Sequence, residues 1–147
     1  MTGVDGLVDA FQVAWSSRDP AAFAPICAPD LHYEDPLTPE PLTGPAALGA
    51  HAARFWQGFP DAWVQRAGER LTDGRFVAAP VKVLATHRGV VGEVPATGRP
   101  LVVHAVFFCE LDPPRERLWR VRTFFDAYGA AVQLGLLPRP GSLSERA

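Results

Sequence analysis

The chain of 147 residues is short of cysteine, of net charge and of long apolar runs, and each shortage removes a class of protein. Its two cysteines, Cys27 and Cys109, stand far apart in apolar stretches. That placement fits free buried thiols in a reducing compartment, not a disulfide framework or a metal site. Fourteen basic against sixteen acidic residues leave a formal charge of −2, so no basic surface marks a nucleic-acid partner. No apolar run reaches the length of a membrane span. The amino terminus lacks the basic-then-apolar order of a secretory signal. A cytoplasmic protein is the expectation. No internal repeat, glycine-rich phosphate loop or metal-ligand spacing of His, Cys and carboxylates is present.

What the chain does have is apolar content of 48%, enough for one core, and its length suits one domain over residues 1–140 with a frayed tail at 141–147. Val4, Leu7, Val8, Phe11, Ala14 and Trp15 recur at helical spacing and predict an amphipathic first helix. Asp19 before Pro20 starts a short second helix, with Phe23, Ile26 and Cys27 facing inward and Pro29 closing it. Leu31 to Asp35 reads as a strand that puts Leu31, Tyr33 and Asp35 on one face, and Pro36 ends it. Thr43-Gly44-Pro45 opens a third helix, striped with Leu48, His51, Ala52, Phe55, Trp56 and Phe59. Strands follow. Trp63 to Leu71 runs into the hairpin signal Asp73-Gly74, and Arg75 to Arg88 returns carrying Pro80, which demands an edge or a bulge. Gly89 to Gly98 is a loop placed to act as a flap, with His87 at its base. Helices first and strands afterwards predict an α+β fold, with the helices on one side of an antiparallel sheet.

The stretch Leu118 to Pro138 begins with strict alternation. Arg120, Arg122, Phe124, Asp126 and Tyr128 share one face, and Trp119, Val121, Thr123, Phe125 and Ala127 share the other. Arg99 to Leu111 pairs with it across the turn Pro113 to Arg117. Charge matching sets the register: Glu110 opposite Arg120, then Phe108 opposite Arg122, Val106 opposite Phe124 and His104 opposite Asp126. A carboxylate beside Phe124 and Phe125 would be drawn toward acid/base work by burial, so Asp126 with His104 is a candidate dyad. Asp35 with Tyr33 is a second polar pair. The reverse face (Val103, Ala105, Phe107, Val121, Phe125) needs a cover, and a sheet-to-sheet homodimer is the simplest one. Gly129 to Leu134 reads as one helical turn that Gly135 stops.

Six short segments, in this order and spacing, carry a resemblance across almost the whole chain. They are Tyr33-Glu-Asp-Pro36 followed by Gly44, Phe59-Pro-Asp61, Thr86-His-Arg-Gly89, Pro95-Ala-Thr-Gly-Arg99, Phe125-Asp126 and Gln133-Leu-Gly135. The chain resembles the nuclear-transport-factor-2-like superfamily, a cone-shaped α+β fold, and within it the SnoaL-like polyketide cyclases. The resemblance implies a pocket between a curved sheet and the first three helices, holding a hydrophobic small molecule and no metal or organic cofactor. It implies an intramolecular aldol ring closure, with Asp126 as general acid/base and His104 bonding the substrate carbonyl. Tyr33, Asp35, His51, Trp15, Trp56, His87, Phe108, Arg122 and Phe124 would line or close the pocket. Ketosteroid isomerase is a further relative in which Asp35 would be the base, although its oxyanion tyrosine would fall near Phe11 and its aspartate donor at His104. Limonene epoxide hydrolase shares the fold but needs an Arg and an Asp two apart where this chain reads Val-Val-His-Ala-Val. A non-catalytic binding or dimerisation module is the remaining reading.

Overall fold

The computed structural model describes residues 3–138 and Gly141. The domain limits at 1–140 and the tail at 141–147 fall largely outside the described residues. The elements run α1 (Val4–Ser16), a 3-10 turn (Pro20–Phe23), β1 (Cys27–Glu34), β2 (Leu42–Thr43), α2 (Pro45–Gly58), β3 (Trp63–Arg66), β4 (Leu71–Thr72), β5 (Phe76–Thr86), β6 (Pro100–Leu111), β7 (Leu118–Phe125) and α3 (Ala127–Gln133). They build one sheet in the order β2-β1-β7-β6-β5-β3, with β4 on β5. None of the described helices is long and apolar enough to cross a membrane.

The α+β expectation holds, with three changes. Asp19 caps the turn at Ala21 N as its sequence predicts, but the second helix is only the 3-10 turn, and Cys27 and Pro29 belong to β1. The reason lies in the partner strand: β1 lies parallel to β7, and an irregularity between Cys27 and His32 takes up Pro29. The sheet is therefore mixed, not wholly antiparallel. Third, only α1 precedes every strand: α2 lies between β2 and β3, and α3 follows β7.

Pro80 shows how a sequence rule is met in an unexpected place. It sits inside β5, paired with Val106 of β6, and its carbonyl accepts from Ala67 N at 3.0 Å. Ala67 lies in the gap between β3 and β4. The missing N–H thus faces the one break in the flanking strand, a local edge within a covered sheet.

The β6–β7 register is the one charge matching gives. Glu110 faces Arg120, Phe108 faces Arg122, Val106 faces Phe124, Phe107 faces Thr123 and Ala105 faces Phe125. Glu110 is buried, and Arg75 Nη2 at 2.6 Å and Arg120 Nη1 at 3.5 Å meet its two oxygens. What changes is which face is inside. Val103, Ala105, Phe107 and Val121 are buried, whereas Phe108 is 48% exposed and Phe124 54%. Alternation separates two faces without saying which is inner. The polar and charged members decide it, since His104, Arg120 and Arg122 all stand on the Phe108 face and would be costly to bury. The face reserved for a homodimer is the core wall, already covered within the chain.

That core is aromatic. Phe11 of α1 meets Phe107 of β6 edge-on at 4.9 Å and Phe23 at 5.7 Å, and Trp15 meets Phe23 at 5.5 Å. Emptying the Phe11 position to Ala would cost about 3–5 kcal/mol. Trp56 is held from α2 by its indole N–H, which donates to Trp15 O at 2.8 Å. Burial pushes the Cys27 and Cys109 thiols up to about 12, which keeps both protonated and unreactive.

Candidate functional site

Between α1, α2 and the inner face of the sheet lies a cavity of about 810 Å³. Its wall is mostly apolar: Val83, Leu101, Val103, Ala105, Phe107 and Phe125 from the sheet, Trp15 and Phe55 from the helices. Val90, Val91 and Val94 of the Gly89–Gly98 loop and Ala127, Ala130, Ala131 and Leu134 at α3 complete it. The loop therefore stands where a flap should. It is anchored by Arg88 N and Gly89 N, which both donate to Gly58 O at the end of α2. Gly89 is required there, because a Cβ would collide with the Gln57 carbonyl.

The polar part of the wall is a chain of side chains centred on Asp35. Alternation along β1 sends Tyr33 inward, and Asp35 follows at the strand end, where Pro36 turns the chain. Asp35 Oδ1 accepts from Leu37 N at 2.7 Å in that turn. Asp35 Oδ2 accepts from the Tyr33 hydroxyl and stands beside His51 Nε2, each at 2.8 Å. The Tyr33 oxygen is also 3.0 Å from Thr123 Oγ1 on β7. His51 comes from the apolar stripe of α2, its side chain 13% exposed and that of Asp35 6%.

Burial would raise the Asp35 carboxyl, but His51, Leu37 N and Tyr33 together outweigh it and hold the group below its usual range. Tyr33 moves the other way. Burial first, then the Asp35 charge, push its phenol well above the ordinary value, so it stays a donor. Because an ionised carboxylate only accepts, His51 Nε2 carries the proton between them. Among the described residues Oδ1 has one donor, Leu37 N, which leaves a lone pair for a substrate proton.

His87 closes the far end. It is wholly buried and stacks on Phe59 at 5.3 Å. Thr97 N donates to its Nδ1 at 3.3 Å, while Gly98 N donates to its carbonyl at 2.8 Å. Both bonds tie the end of the flap to its start.

Of the residues expected at the site, the cavity wall takes Trp15, Tyr33, Asp35, His51 and His87. Trp56 lies in the core behind it. His104, Phe108, Arg122 and Phe124 are exposed on the outer face, where Arg122 Nε pairs with Glu34 Oε1 at 2.6 Å. Asp126 is exposed and caps α3, accepting from Gly129 N at 2.9 Å. His104 and Asp126 are not brought together on the cavity, because the ladder ends at Ala105 opposite Phe125 and the chain turns into α3. Sequence reasoning missed Thr123, which shares the reverse face with Val121 and Phe125 and was legible once that face was taken as inner. It also missed Gln133, whose side-chain amide bonds Val102 N and Val102 O at 2.8 Å each. Gln133 thus occupies the place on β6 that β7 vacates, and holds α3 at the cavity.

Comparison with known proteins agrees with this geometry. A SnoaL-like polyketide cyclase candidate from Jannaschia sp. CCS1 superposes with a TM-score of 0.79 at 18% identity, covering 92% of this chain and 92% of that one. AclR, a candidate hydroxylase from Streptomyces galilaeus, gives 0.78 at 20% identity, over 97% of this chain and 92% of its own. A protein of ketosteroid isomerase-like fold from Catenulispora acidiphila, solved with trimethylamine, gives 0.76 at 18% identity, over 89% and 93%. At such identities these likenesses establish the fold. No curated protein matches the chain. The family model described as SnoaL-like polyketide cyclase matches residues 6–134, nearly the whole length, and the chain belongs to that family.

Proposed function

We propose that the chain is a cofactor-free acid/base enzyme acting on an apolar ketone, with Asp35 as the base and His51 as its partner. The observation that carries this reading is the Asp35–His51 pair, at 2.8 Å, on the wall of an otherwise apolar cavity of about 810 Å³. A cavity of this size and lining suits a fused-ring molecule. Asp35 takes a proton from carbon next to a carbonyl, and the enolate carbon attacks a second carbonyl of the same molecule. One C–C bond forms, and the new alkoxide takes back the proton that Asp35 holds. His51 keeps Asp35 oriented throughout. A base held below the usual carboxylate range is weak, so the substrate carbon is one acidified by two flanking carbonyls.

An isomerase shares the first step and returns the proton to a different carbon. Asp35 fits that role too, but Phe11 offers no hydroxyl for the enolate oxygen. Ring closure is preferred because the family model matching residues 6–134 is that of SnoaL-like polyketide cyclases. We also place the homodimer on the outer sheet face of Phe108 and Phe124, the inner face being occupied.

The test is proton exchange. A cyclic aromatic β-diketone in D₂O should lose its activated C–H signal faster with the protein than without, and Asp35→Asn should slow this by at least about a hundredfold. Exchange equal in wild type and Asp35→Asn sinks the assignment. Binding of the diketone with no accelerated exchange at all favours a binding module.

A further inference from the structure

Among the described residues, Arg54 is the one permanent cation on the cavity wall. It lies on α2 three residues after His51, so these two side chains are neighbours on the helix surface. Several of the described arginines are committed. Arg70 holds Asp5 and Asp9, Arg75 and Arg120 hold Glu110, and Arg122 holds Glu34. Arg54 has no hydrogen-bond or ion-pair partner among the described residues. The acidic group on the same wall, Asp35, is already engaged by Leu37 N, Tyr33 and His51. Among the described residues, nothing of opposite charge on the wall is left to quench the guanidinium. The same wall also carries the apolar or neutral Phe55, Gln57, Val90 and Val91. A planar fork of donors with no protein partner matches a carboxylate.

We propose that the ligand is an apolar fused-ring carboxylic acid whose carboxylate is bound by Arg54 at the α2–flap rim. The spacing sets its orientation. Residues three apart on a helix have Cβ atoms about 5–6 Å apart, so the anion is held roughly one turn from the Asp35–His51 pair. The ionised Asp35 repels the acid end and leaves the ketone end as the one it meets. Arg54 is thus a specificity residue that selects the acid and presents the opposite part of the molecule to the base. The inference rests on the cavity being the ligand site, as proposed above.

Fluorescence titration with 2-anthracenecarboxylate and with neutral 2-anthracenecarboxamide tests it. Wild type should bind the acid about fivefold more tightly, a modest factor because the arginine is exposed. Arg54→Gln should erase the preference while leaving carboxamide affinity unchanged, and Arg54→Lys should keep part of it. Added salt should weaken acid binding only. Equal affinities in wild type, or a preference that survives in Arg54→Gln, overturn the role of Arg54 and leave the cavity reading standing. Failure of both probes to bind overturns the two together.

Discussion

The Tyr33 hydroxyl and the His51 imidazole meet the same oxygen of Asp35, Oδ2, each at 2.8 Å. The shared oxygen carries two side-chain partners, whereas Oδ1 has the single backbone donor Leu37 N and keeps a lone pair. Holding and reacting are thus separated within one side chain.

The depressed Asp35 pKa carries a pH signature. Such a group stabilises the fold above the unfolded carboxylate value of about 3.9, and that stability is lost as pH falls through the lower folded value. Melting temperatures of wild type and Asp35→Asn should therefore differ by a constant amount above about pH 5 and converge below about pH 4. A gap that widens in acid contradicts the hydrogen-bonding scheme.

His51 positions the base without taking the proton from carbon. His51→Gln should lower the exchange rate by about ten- to a hundredfold, less than Asp35→Asn does, while probe affinity changes little. If His51→Gln falls as far as Asp35→Asn, the imidazole is itself the base. The two are separated by the pH profile, which should keep its acidic limb in His51→Gln when Asp35 is the reacting group.

Asp126 and His104 provide the converse case. Asp126→Asn keeps a side chain that can cap α3, so both activity and stability should stay near wild type, whereas Asp126→Ala should cost about 1 kcal/mol in denaturant unfolding. His104→Ala, on the exposed face, should be silent in the exchange assay. A tenfold loss of activity in Asp126→Asn with stability intact would return the reaction to that carboxylate.

Gln133 predicts where the wall yields. Gln133→Ala removes two hydrogen bonds to Val102, worth roughly 0.5–1.5 kcal/mol each, and should raise amide hydrogen exchange in α3 while β1 and β5 stay protected. Probe dissociation should quicken with it. Unchanged exchange in α3 would show that its apolar contacts alone seat it.

Much of this was readable before the structure. The stripe on α2, the hairpin at Asp73-Gly74 and the β6–β7 register follow from side-chain period and charge, which are local properties. The choice of inner face is not local. Both faces of β6 and β7 carry phenylalanines, and only the clustering of His104, Arg120 and Arg122 marks the outer one. Taking the other face as inner led to Asp126, while the polar pair Tyr33–Asp35 was visible but lacked its partners. His51 and Thr123 reach it from 16 and 90 residues away, separations that no spacing rule spans. The helical reading of Cys27 failed for the same reason, since a parallel partner nearly a hundred residues later made it a strand.

The amide of Gln133 gives ligand entry an unexpected cost. A strand whose outer N–H and C=O groups stand free is a template for another chain. If a bulky ligand enters by displacing α3, it also uncovers the Val102 backbone, so each opening briefly presents a sticky ribbon to neighbouring molecules. The same small helix then guards the cavity and the solubility of the protein, and a resident ligand that keeps it seated should slow aggregation on storage.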